Sequence, residues 1–139
     1  MFDQYLYDTN DYPAKTTVSG WLTNRGNTVI ESGKYDIDLS VTTAGGQHFG
    51  FECERRNLAA WGPGKPFPYQ TISVPERKAK FSNPSTFFAA VNASCDMMVV
   101  IPGPAVTGSP LVPKPTSNRG MENFYEVPID HCYRFGLQN

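Results

Sequence analysis

Four carboxylates fall within two short stretches: Asp36 and Asp38 in "KYDIDLSV", and Glu52 and Glu54 in "HFGFECER". Fourteen or sixteen residues separate an acid of the first stretch from an acid of the second. On neighbouring strands, two such carboxylates offer hard oxygen donors that can hold Mg²⁺ or Mn²⁺ and still leave room for water and phosphate. The metal would lower the pKa of an attacking water and stabilise the charge of a phosphodiester transition state. A polar residue two places beyond the second acid projects from the same strand face and can orient that water.

The surrounding sequence must position these groups. "YDIDLSV" alternates, with Tyr35, Ile37, Leu39 and Val41 on one face and Asp36, Asp38 and Ser40 on the other, the pattern of a half-buried strand. "TTAGGQ" supplies a glycine-rich turn, and "HFGFECER" returns with Phe49, Phe51 and Cys53 opposite Glu52 and Glu54. A turn centred near Ala44 and Gly45 pairs residues whose numbers sum to about 90, so Asp38 faces Glu52 and Asp36 faces Glu54. All four acids are then expected on one face with no base between them. Like charges opposite one another across a ladder are destabilising, so the cluster needs bulk water, protonation or a cation. The plainer alternative is the solvent face of an amphipathic hairpin, with surface ion pairs to Lys34, Arg55 or Arg77 worth about 1 kcal/mol or less.

Elsewhere, Val18, Trp21 and Leu22 in "AKTTVSGWLTNR" predict a short helix over residues 14 to 25, with Gly26 placed to end it. "TISVP" reads as a strand closed by Pro75, and "TFFAAV", "NASCD" and "MMVVIP" read as a buried hairpin, with a helix across Phe87 to Ala93 as the rival. Residues 102 to 119 hold five prolines and no periodicity, which predicts an irregular Pro-rich loop. "FYEVP" reads as a strand before a final extended or one-turn segment.

At 139 residues, with 40% apolar residues, 12 Gly and 12 Pro, the chain is expected to form a single α+β domain over residues 1 to 139, with β dominant. Its three cysteines lack zinc-ligand spacing and are expected to be reduced thiols. The acidic N-terminus lacks the pattern of a signal peptide, and no stretch reaches a membrane-spanning length, so a soluble, cytoplasmic protein is expected.

The net charge of −1 hides an asymmetry. Residues 1 to 54 hold eight acids and three bases, whereas residues 55 to 95 hold six bases and one acid. Arg55, Arg56, Arg77, Lys78 and Lys80 are candidates to grip phosphates if the strand at "TISVP" pairs with the carboxylate hairpin. Trp61, Phe67 and Tyr69 in the loop between are candidates to stack on bases, or else to cap a core.

"YDIDL", "FGFECERR", the loop into "FPYQTISVPERKAKF", "STFFAAVNASCDMMVVIP" and the terminal "FYEVPIDHCYRF" together resemble the PD-(D/E)XK nuclease superfamily, in particular its small phage and metagenomic members. The likeness spans residues 30 to 135. It implies a mixed central β-sheet with flanking short helices and a divalent-metal-dependent hydrolysis of phosphodiester bonds. Asp38 or Asp36 would be the first metal ligand and Glu52 the second. Glu54 would stand where most members carry lysine, a departure that some restriction endonucleases of the superfamily share. The resemblance thus implies a catalytic set of Asp38, Glu52 and Glu54, a metal set of Asp36, Asp38 and Glu52, and Mg²⁺ or Mn²⁺ as cofactor. The implied partner is nucleic acid, DNA before RNA, and a homodimer is compatible with it. A phage origin would place the protein in the host cytoplasm. The competing expectation is a catalytically inactive protein of the same fold that binds nucleic acid or a host protein as a phage accessory or inhibitor.

Overall fold

A computed structural model describes residues 12–31, 37–116 and 120–137. The chain begins with helix α1 (Tyr12–Asn24), which turns Ala14, Lys15, Val18 and Leu22 inward. Gly26, at φ 91°, ends it in a left-handed conformation that only glycine adopts without strain.

Three antiparallel strands follow: β1 (Thr28–Glu31), β2 (Leu39–Thr42) and β3 (His48–Arg56). The chain next leaves this sheet to form β4 (Thr71–Pro75) and a 3-10 turn (Glu76–Phe81). It returns as β5 (Thr86–Asn92), parallel to β3, and doubles back antiparallel as β6 (Met97–Pro102). A short helix α2 (Gly103–Thr107) leads into β7 (Leu111–Thr116) and β8 (Gly120–Pro128), and a 3-10 turn (Ile129–His131) precedes β9 (Tyr133–Gly136). The result is α+β: a mixed six-stranded sheet ordered β1-β2-β3-β5-β6-β9 and a smaller antiparallel sheet ordered β4-β8-β7.

Both faces of the six-stranded sheet are covered. Ala14, Val18 and Leu22 of α1 pack on Leu39, Val41, Phe51, Ala89, Val91 and Met98 on one side. On the other, Phe88, Ala90, Val99 and Ile101 pack against Trp61, Phe67, Ile72, Val74 and Val127 from the second sheet and the loop before it. Burial on both faces explains why β5 and β6 read as nearly unbroken apolar runs. It also decides against a helix across Phe87 to Ala93.

Several expectations change here. Residues 102 to 119 are not an irregular Pro-rich loop, since they contain α2 and the edge strand β7. Pro113 and Pro115 alternate with Val112, Lys114 and Thr116 in a strand that pairs only with β8. An edge strand tolerates proline where the missing N–H would face away from its partner. The strand at Thr71–Pro75 does not extend the carboxylate hairpin; it pairs with β8. Trp61 and Phe67 are core residues in edge-to-face contact, with centroids 5.0 Å apart, leaving only Tyr69 of the three loop aromatics exposed. No helix among the described residues is long and apolar enough to cross a membrane.

Candidate active site

The β2–β3 register is Leu39 opposite Phe51, Ser40 opposite Gly50, Val41 opposite Phe49 and Thr42 opposite His48. These pairs all sum to 90, as the turn "TTAGGQ" suggested. One step beyond the ladder, Asp38 meets Glu52. Side chains there replace the main-chain bonds: the Asp38 N–H donates to Glu52 Oε2 at 3.1 Å, and Asp38 Oδ2 accepts the Cys53 N–H at 2.8 Å. Each carboxylate therefore satisfies a backbone donor at the point where the two strands separate.

Two lysines flank the pair. Lys15 of α1 brings its Nζ to 3.8 Å from Asp38 Oδ1, with only 5% of its side chain exposed. Lys78, in the 3-10 turn after β4, brings its Nζ to 3.5 Å from Glu52 Oε1 on the face covered by the second sheet. The expected run of acids with no base between them is thus corrected: a cation from each side meets the pair. Lys15 was not singled out by sequence reasoning. Its signal was present, because three residues before Val18 and seven before Leu22 place it on the helix's apolar stripe.

Burial pushes the Glu52 carboxyl up to about 8, helped by a side-chain hydrogen bond with Asp38 and opposed by the Lys78 ammonium and the Asp38 N–H. At neutral pH Glu52 therefore holds a proton much of the time, so any cation that binds here must displace it. Beside Glu52 lies a cavity of about 30 Å³ bounded by Glu54, Arg56, Val74, Lys78 and Phe88. That is room for roughly one water.

The other candidates are placed differently. Asp36 lies outside the described residues. Glu54 turns to Arg56 at 3.3 Å. Arg56 Nη2 also donates to the Ser73 carbonyl at 2.6 Å, tying β3 to β4. Arg55 reaches the Ala93 carbonyl at 3.4 Å, and Arg77 pairs with Glu122 at 3.0 Å. These three arginines are engaged within the fold. Lys80 borders a separate open cleft with Ser40, His48 and Gly50.

Among the described residues, no group of three or more His, Cys, Asp or Glu side chains gathers as a metal-binding set. Asp38 and Glu52 form a two-carboxylate site, a donor set that suits Mg²⁺, which commonly takes one or two protein carboxylates and fills its remaining positions with water and substrate phosphate. In comparisons with known proteins, the chain matches no family model, no curated protein and no solved structure.

Proposed function

We propose that the protein is a divalent-metal-dependent nuclease of PD-(D/E)XK type, with Asp38 and Glu52 as the residues that would hold Mg²⁺ or Mn²⁺. The observation that carries this reading is the meeting of Asp38 and Glu52 where the leading end of β2 parts from the middle of β3. The arrangement around them supports it: a helix, a three-stranded antiparallel meander, and a further strand parallel to the third. A bound ion would supply an activated water and charge stabilisation at the scissile phosphate. The chain's own residues supply the rest. Cys53 N–H holds the Asp38 carboxylate in place, Lys78 offers positive charge beside Glu52, and the second sheet shields Glu52 from bulk water.

A specific observation favours a second reading, an inactive member of the same fold that binds nucleic acid or a host protein. Glu54 stands at the position of the usual lysine, and its carboxylate is paired with Arg56. One experiment separates the two readings. The full chain is incubated with single-stranded, duplex and branched DNA and RNA in Mg²⁺ or Mn²⁺, beside Asp38→Asn and Glu52→Gln. Metal-dependent cleavage lost in both variants supports the nuclease; no cleavage of any substrate, or cleavage unchanged in the variants, rejects it.

A further inference from the structure

Two ammonium groups stand beside the carboxyl pair, and their exposures separate them. Lys15 is sealed beneath α1, with 5% of its side chain exposed, where it meets Asp38. Lys78 is 29% exposed, although its partner Glu52 is only 6% exposed. Lys78 is therefore the cation of the pair that a molecule arriving from solvent can reach.

The geometry around Lys78 leaves it able to meet a second acceptor. Its Nζ lies 3.5 Å from Glu52 Oε1, an ion pair longer than the roughly 2.7 to 2.9 Å of a close charge-assisted hydrogen bond. An ammonium has more than one donor, so it can serve another oxygen without leaving Glu52. Space for that oxygen lies beside it: the cavity of about 30 Å³ is lined by both Lys78 and Glu52 and holds roughly one oxygen-sized group. The charged groups that β3 brings to the same cavity are engaged, Glu54 with Arg56 at 3.3 Å and Arg56 with the Ser73 carbonyl at 2.6 Å.

The turn that carries Lys78 is held at the two residues before it. Arg77 Nε donates to Glu122 at 3.0 Å, and Glu76 Oε1 accepts the Asn123 Nδ2 amide at 3.2 Å, so β8 fixes the turn while Pro75 joins it to β4. The second sheet thereby places an ammonium against carboxylates that belong to the first. A phosphodiester gathers negative charge on its non-bridging oxygens as water adds. A fixed cation beside those oxygens favours the transition state, because it acts where charge develops and needs no reorganisation to do so.

We propose that Lys78 is a catalytic residue of the site, its ammonium donating to a non-bridging oxygen of the scissile phosphate that enters the cavity between it and Glu52. In the step it serves, the water oxygen bonds to phosphorus, and the bond to the leaving sugar oxygen breaks with its electron pair passing to that oxygen. The water gives up a proton to solvent, and the leaving oxygen takes one from solvent. Lys78 keeps its own proton and charge throughout. The proposal rests on the nuclease reading above and extends it to a residue supplied from another sheet.

The test measures rate and affinity separately in the parent, Lys78→Met, Lys78→Arg and, as a control in the exposed loop before β4, Lys65→Met. Thermal melts first establish that each variant folds. The probe is the labelled DNA or RNA that the parent cleaves fastest in Mn²⁺. Single-turnover cleavage with protein in excess gives the rate, and fluorescence anisotropy without metal gives the affinity for the intact probe. Lys78→Met should slow cleavage about a hundredfold or more, while its affinity stays within about threefold of the parent. Lys78→Arg keeps a charge and should retain about a tenth or more of the parent rate, and Lys65→Met should match the parent in both measurements. A Lys78→Met rate within about threefold of the parent, or a loss of rate matched by an equal loss of affinity, overturns the inference. Either result spares the nuclease, on which Asp38→Asn reports in the same assay. Equal losses in Lys78→Met and Lys78→Arg, or a Lys78→Met chain that does not fold, would make the lysine structural and overturn the inference as well. A parent that cleaves nothing overturns both.

Discussion

Lys15 of α1 and Asp38 at the leading edge of β2 form an ion pair at 3.8 Å inside the layer between helix and sheet. Removing one partner takes a counter-charge away from the other in a poorly hydrated place, whereas removing both leaves two neutral groups. Asp38→Asn in the metal-free protein should therefore destabilise, by about 1 to 3 kcal/mol. Lys15→Met combined with Asp38→Asn should recover a large part of that loss. Urea denaturation of the double-mutant cycle measures the coupling, and a value near zero would show that the two charges do not depend on one another.

Glu52 carries a pH dependence whose sign follows from its raised carboxyl. The folded state holds the proton up to about pH 8, whereas the unfolded chain releases it near the ordinary glutamate value of 4.5. Its contribution to stability is complete below the unfolded value and is lost as pH rises through the folded one, at up to about 1.4 kcal/mol per unit between the two. Glu52→Gln keeps a neutral side chain at every pH and should flatten this slope. Melting curves of the metal-free parent and variant from pH 5 to pH 8, at about one-unit steps, make the comparison; identical slopes would contradict the raised carboxyl.

Metal should act in the opposite sense on the same two residues. If Asp38 and Glu52 hold Mn²⁺, adding it raises the melting temperature of the parent through preferential binding to the folded state, and either neutral substitution removes most of the rise. The metal-free baselines should differ. Glu52→Gln is neutral or stabilising near pH 8, while Asp38→Asn is destabilising because of Lys15. An unresponsive parent would assign both acids to structural roles.

Asn92 supplies a prediction remote from the carboxyl pair. It is fully buried at the end of β5, where Oδ1 accepts the N–H groups of Asp96 at 3.0 Å and Met97 at 3.1 Å. Its Nδ2 donates to Asp96 Oδ1 at 2.7 Å and the Gly62 carbonyl at 3.2 Å. Asn92→Ala leaves several of these groups without a partner and should cost about 2 to 3 kcal/mol. Chemical denaturation measures it, and a loss below about 0.5 kcal/mol would mean that water replaces the amide.

The hairpin was legible because two independent constraints agreed. A glycine-rich turn and the alternation of Leu39, Val41, Phe49 and Phe51 both point to one register, and a slip of one residue would have turned those side chains to the wrong face. The β5–β6 hairpin was legible for a related reason, with two apolar runs flanking a polar turn. The second sheet was not. Its β7 carries Pro113 and Pro115, which read as loop until the edge position of the strand is known. Lys78 illustrates a different limit. Its nearness to Glu52 arises from a turn after a strand in another sheet, and no local pattern encodes a contact between sheets. Lys15 was overlooked because a lysine in a short helix is usually solvated, although its place on the apolar stripe marked it.

The departure of the chain from the six-stranded sheet after β3, and its return as β5, has a consequence for how the molecule is made. Strand β5 pairs with β3 only after residues 57 to 85 have gone out and come back, and the face that β5 offers the second sheet is covered by β4 and by β8, a strand still further along. The two sheets thus depend on pairings between distant parts of the chain, whose loop-closure entropy is lost before the contacts repay it. Such topologies fold slowly compared with those built from local contacts. Early in folding, the β2–β3 hairpin can close by itself and bring Asp38 to Glu52, but Lys78 and the covering sheet arrive only with the long-range pairings. The carboxyl pair would assemble before the environment that raises the Glu52 carboxyl, so the chain would gain its geometry first and its electrostatics last.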